Sequence, residues 1–135
     1  MSQAIVAALY TKLTADQSGG SFYDDLGGRI FTGMGPQDAD LPLAVIGVDA
    51  NAVESTYSKR IETTAFVMTI YGAIAAGATA VSDIEAKGFS LLHGAEITPT
   101  GYDRGVLRCL SRDDRDHDEE VVVSTSVYEI EATTS

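Results

Sequence analysis

The stretch from Arg60 to Tyr71 has no glycine or proline and is rich in Thr, Ile, Val, Phe and Tyr, so it reads as one long β-strand. Successive side chains of a strand point to opposite faces. Ile61, Thr63, Ala65, Val67, Thr69 and Tyr71 therefore share one face, and Glu62, Thr64, Phe66, Met68 and Ile70 share the other. Such a strand is longer than a small sheet requires. The surplus near Arg60 predicts a hairpin arm that projects past the domain, with Ala50 to Ser58 as its tip.

That strand needs neighbours. Leu43 to Val48 is a continuous apolar run bounded by Pro42 and Asp49, the pattern of a central strand covered on both faces. Gly105 to Ser111 and Val121 to Glu131 supply two more, separated by a charged loop from Arg112 to Glu120. Arg29 to Phe31 reads as a short extended segment before an irregular loop containing Pro36 and Pro42. Two stretches have helical spacing instead: Ser2 to Ala15, with Ile5, Val6, Leu9 and Leu13, and Thr79 to His93, with Val81, Ile84, Gly88, Leu91 and Leu92. Gly94 is placed to end the second helix. Gly88 on its apolar stripe predicts close approach to the sheet. The expected fold is one α+β domain over residues 1–135, an antiparallel sheet of about four strands with two helices on one face, in the order α-β-β-α-β-β. Its expected core includes Leu9, Leu13, Val45, Val67, Ile84, Leu91 and Leu107.

Charge restricts the partners. Twenty carboxylates against nine Lys and Arg give a formal net charge of -11, so the mean field repels phosphate and anionic lipid. Neither nucleic-acid binding nor membrane-surface binding is expected. The single cysteine, Cys109, allows no internal disulfide and suits a reducing cytosol. The first residues show no secretory signal, and the weakly apolar run Gly72 to Val81 is too short to span a bilayer.

The residues offer little for catalysis. His93 and His117 form no zinc-binding pair, and His93 at a helix end is expected to favour the last carbonyls or to be solvated. Cys109 reads as a small buried thiol with no histidine nearby in sequence. Gly27-Gly28 and Gly33-Met34-Gly35 lack the Gly-Lys-Ser/Thr of a phosphate cradle and read as turns. No catalytic residue, metal or cofactor is assigned.

The densest charge cluster runs from Asp113 to Glu120, with Asp114, Asp116, Asp118 and Glu119 between, and holds six carboxylates and one arginine. A calcium loop starting at Asp114 would put Glu119 where the sharp turn needs Gly and Thr125 where a bidentate Glu is required. A solvated hairpin tip fits better. Repeated around a symmetric ring, the loop becomes a negative belt that faces a basic docking partner or lines a channel along which DNA slides without sticking. A small metal- or ligand-binding enzyme using this loop stands as the alternative of another class. The basic residues Lys59, Arg60, Arg104, Arg108, Arg112 and Arg115 are expected to pair between subunits.

The opening helix, the phrase Leu26-Gly27-Gly28-Arg29-Ile30-Phe31, the segment Leu41-Pro42-Leu43-Ala44-Val45-Ile46 and the strand ending Val67-Met68-Thr69-Ile70-Tyr71-Gly72 resemble one family along the chain. The helix ending Leu91-Leu92-His93-Gly94 and the closing pair of strands continue the likeness. The family is that of the tail terminator, or tail-completion, proteins of long-tailed phages and gene transfer agents. The resemblance implies a virion protein assembled in the host cytoplasm without catalysis. It would form a homo-oligomeric ring, commonly of six subunits, that stops polymerisation of the major tail tube protein and meets the head-tail connector. A head-tail adaptor or a tube subunit is the neighbouring reading. The candidate inter-subunit contacts are Glu54, Tyr57, Lys59 and Arg60 on the arm, and the candidate docking or lumen residues are Asp113, Asp114, Asp116, Asp118, Glu119 and Glu120.

Overall fold

The computed structural model describes residues 3–33, 40–56, 61–117 and 120–133. Helix α1 spans Gln3–Thr14 and buries the stripe Ile5, Leu9 and Leu13. A short helix α2, Phe22–Asp25, follows. It starts where the Ser21 hydroxyl accepts the Asp24 amide at 3.1 Å, while the Asp24 carboxylate reaches back to the Gly20 amide at 3.0 Å. This reciprocal capping satisfies amides that have no partner within the first turn.

Strands β1 (Ile30–Thr32), β2 (Leu43–Thr56) and β3 (Ile61–Ala73) come next, then a 3-10 turn and helix α3 (Ala78–Leu92). Strands β4 (Glu96–Ile97), β5 (Arg104–His117) and β6 (Val121–Thr133) complete the chain. The six form one sheet in the order β1-β2-β3-β6-β5-β4. All pairings are antiparallel except β1 with β2, which is parallel. The mixed α+β class holds, but six strands replace the expected four, and the order is α-α-β-β-β-α-β-β-β. The short outer strands β1 and β4 close the two margins and carry too few residues to show a period.

The alternation read from the sequence sets the layers. On β3, Thr64, Phe66, Met68 and Ile70 are fully buried, whereas Thr63, Val67, Thr69 and Tyr71 are half-buried. On β6, Val122, Ser124, Ser126, Tyr128, Ile130 and Ala132 are buried and their odd-numbered neighbours are not. The helices lie on the buried face, where α1, α2 and α3 join the sheet in one core with Phe22, Leu26, Val81, Ile84 and Leu92. Leu9, Leu13, Ile84 and Leu107 occupy the core as expected. Val45 and Val67 are half-buried on the opposite face, which no described helix covers, and Leu91 packs at the core's margin. Gly88 makes its close approach to the sheet through side chains: a Cβ there would stand 2.8 Å from Met68 Cε and 2.9 Å from Phe22 Cε1.

The expected projecting arm is corrected. Asp49 to Thr56 is strand rather than connection, and β3 stays paired with β6 as far as Ile61 and Thr133. The surplus length of β2 is taken up by a register irregularity between Val48 and Val53, a bulge that bends the strand. To Thr56 and Ile61 the hairpin is part of the sheet. Residues 57–60 lie outside the described residues.

Candidate interaction surface

Most of the expected acidic loop is strand. The β5–β6 ladder continues to His117 opposite Val122. Charged residues are tolerated in β5 because little packs beyond it: β4 pairs with it only at Gly105 and Val106. Two irregularities, between Cys109 and Ser111 and between Ser111 and Asp114, twist the strand.

Those irregularities sort the carboxylates. Asp113 sits at φ +50°, in the left-handed region that Asp tolerates better than most residues. Its carboxylate accepts the Ser124 hydroxyl at 2.7 Å, the Ser82 hydroxyl at 3.4 Å and Arg115 Nη2 at 3.0 Å. Its amide donates to Ser126 Oγ at 3.1 Å. Asp113 therefore ties β5 to β6 and α3, and is a structural residue. Asp114 and Asp116 face the other way, opposite Thr125 and Val123 on the face that lacks helices, and both are exposed. The Glu120 carbonyl accepts the Ile74 amide at 2.8 Å. Asp118 and Glu119 lie outside the described residues, as do Tyr57, Lys59 and Arg60 of the other predicted set. Glu54 stands on β2 opposite Thr63.

The four described arginines expected to pair between subunits each meet a carboxylate of their own chain while staying 40–65% exposed. Arg104 meets Glu96, Arg108 meets Glu129, Arg112 meets Glu85 and Arg115 meets Asp113. Lys87 pairs with Asp25 on α2 rather than with Asp83 on its own helix. Lys87 also lines a cleft of about 580 Å³ with Asp16, Ser21, Phe22, Asp83 and Ser90.

Glu85 is the residue that the sequence reading missed. Its side chain is 1% exposed, and Arg112 reaches it with two bonds, Nε to Oε1 at 2.7 Å and Nη2 to Oε2 at 3.0 Å. The signal was present: Glu85 follows Val81 by four and precedes Gly88 by three, which places a carboxylate on the apolar stripe of α3. The Arg112 guanidinium also lies 3.8 Å from the centre of the Phe89 ring, and Phe89 stacks on His93 at 4.8 Å. His93 Nδ1 accepts the Cys109 amide at 3.1 Å, so the histidine fastens the end of α3 to β5. Cys109 thus has a histidine beside it in space although none is near in sequence, and the contact is through the backbone.

The Cys109 thiol donates to the Ser111 carbonyl at 3.2 Å, and burial pushes its pKa up, which works against a thiolate nucleophile. Tyr128 is buried with its hydroxyl unpartnered, and burial followed by the charges of Cys109 and Glu85 pushes its pKa up strongly. Among the described residues no three His, Cys, Asp or Glu side chains converge as metal ligands would. The two faces carry different properties: a fastened network on the helical side, and an apolar floor with acidic margins on the open side.

No protein-family model and no curated protein matches the chain. Among solved structures, a chain from the virion of a native gene transfer agent particle superposes with a TM-score of 0.78 at 20% identity, over 98% of this chain and 99% of that one. A second solved chain gives a TM-score of 0.59 at 12% identity over 96% of each chain. The protein shares its fold with both from end to end.

Proposed function

We propose that the chain, acting as one domain, is a virion structural protein that forms a ring at the end of a tail tube, stops the tube's growth and presents a surface for head-tail joining. The observation that carries this is the end-to-end likeness to a chain of a gene transfer agent virion. It agrees with the tail-terminator resemblance spread along the sequence.

The physical chemistry is compatible with such a role. A ring of copies, each with a formal charge of -11, presents a negative field to DNA, so DNA passes without adhering. The exposed Asp114 and Asp116 are available to a basic neighbour. The contacts between copies in this reading are Glu54, Tyr57, Lys59 and Arg60. The ring acts through position and shape, with no catalytic step.

Light scattering and negative-stain microscopy of the purified chain, alone and mixed with the tail tube protein encoded beside it, test this reading. Closed rings that cap tube ends support it. Open filaments would point to a tube subunit instead. A chain that stays monomeric at high concentration and ignores the tube would overturn it.

A further inference from the structure

The sheet has one face packed by helices and one open. On the open face Val45, Val67, Thr69, Tyr71, Val123, Thr125 and Val127 form a half-buried floor across β2, β3 and β6. Val45, Val67, Val123 and Val127 depart from the pattern of an antiparallel sheet with one wet face, which ordinarily alternates apolar inside with polar outside. The floor is bordered by charge at both ends. Asp114 and Asp116 stand opposite Thr125 and Val123 at one end, and Glu129 and Glu131 continue β6 at the other. From the level of Thr125 to Glu131 the strand rises roughly 20 Å at about 3.3 Å per residue.

The described cations on this face, Arg104 and Arg108, are matched. Arg108 is bonded to Glu129 at 3.0 Å, and Arg104 to Glu96 at 3.3 Å. Asp114, Asp116 and Glu131 are exposed and make no ion pair among the described residues. A second copy laid face to face would bring the same carboxylates and, among the described residues, no unpaired cation. An anionic polymer would be repelled. We infer that the open face docks a basic protein surface, with a β-branched apolar centre flanked on both sides by Lys or Arg about 20 Å apart, matching the valine floor and its acidic ends.

This inference deepens the reading of the chain as an assembly protein and rests on it. Its test uses the isolated chain and is independent of ring formation. The probe is the peptide Lys-Thr-Val-Thr-Val-Thr-Lys, whose lysines share the valine face about 20 Å apart when extended, titrated into the ¹⁵N-labelled full chain and followed by backbone amide shifts. The expected result is that shifts concentrate at Val67, Thr69, Val123, Thr125 and Val127. Affinity should fall at least about fivefold with Asp114→Asn plus Asp116→Asn, and about as much when serines replace the central residues of the peptide. A peptide with Glu in place of Lys should not bind. The inference is overturned by no binding, by equal binding of the serine-centred peptide, or by shifts spread equally over Asp16, Asp24 and Asp83 on the helical side.

Discussion

Arg112 on β5 holds Glu85 on α3 in a two-bonded ion pair, the arginine side chain 42% exposed and the glutamate 1%. The pair joins the helical layer to β5, beside the ties that Asp113 and His93 make between the same two elements. Because the glutamate is buried, its charge depends on the arginine for compensation.

Replacing Arg112 with Met should therefore cost about 2 kcal/mol of unfolding free energy, below the 3–5 kcal/mol typical of breaking a fully buried pair because the arginine side is open to water. The double variant Arg112→Met with Glu85→Gln should recover at least half of that loss, since no uncompensated charge remains. Urea denaturation of the three proteins measures both quantities. An Arg112→Met protein as stable as the parent would mean that the pair carries no stability.

The acidic run should divide in the same assay. Asp113→Ala removes the hydrogen bonds to Ser124, Ser82 and Arg115 and leaves a Cβ-bearing residue at φ +50°, so a loss of about 1–3 kcal/mol is expected. Asp113→Asn should lose less, because Asn keeps an acceptor and tolerates the left-handed region. Asp114→Asn with Asp116→Asn should leave stability within about 0.5 kcal/mol, as for exposed substitutions generally. Equal losses at all three positions would remove the distinction between structural and surface carboxylates.

How far the sequence foretold this structure depended on the length of each element. The stripe Ile5, Leu9 and Leu13 and the alternation of Phe66, Met68 and Ile70 were legible because burial repeats over several turns or pleats. Ile30–Thr32 and Glu96–Ile97 are too short to show a period and become strands only because β2 and β5 lie beside them. The charged residues Arg112 to His117 read as loop, yet pair with β6, where the partner strand rather than intrinsic propensity sets the conformation. Val67 read as core because composition does not reveal which face of a strand the helices cover. Glu85 went unnoticed because its partner is far away in sequence.

Gly72 on β3 tests the helix-to-sheet contact. A Cβ built there would collide with Val81 Cγ2 on α3, and a valine in a helix has one strongly preferred rotamer with which to respond. Gly72→Ala should cost about 1–3 kcal/mol through overpacking. Adding Val81→Ala should bring back part of the loss by opening the space, although each change alone destabilises. Strictly additive losses in a double-mutant cycle would show that the two sites do not touch.

Tyr128 should make the fold labile to alkali. Its hydroxyl is buried without a partner, and burial raises its pKa above the ordinary value of 10.0. The unfolded chain releases this proton near pH 10 while the folded chain retains it, so stability is fully present below pH 10 and declines as pH rises through and above it. Cys109, also raised from its ordinary 9.0, adds to the same slope beginning about one unit lower. Tyr128→Phe should reduce the slope above pH 10, and at pH 7 should be neutral or stabilising by up to about 1 kcal/mol, since it removes a buried hydroxyl that makes no bond. Urea midpoints from pH 7 to 11, measured in a Cys109→Ser background to remove the thiol, isolate the phenol. An unchanged alkaline slope in Tyr128→Phe would show that the phenol titrates alike in the folded and unfolded chain, and a loss above about 1 kcal/mol at pH 7 would show that the hydroxyl is bonded after all.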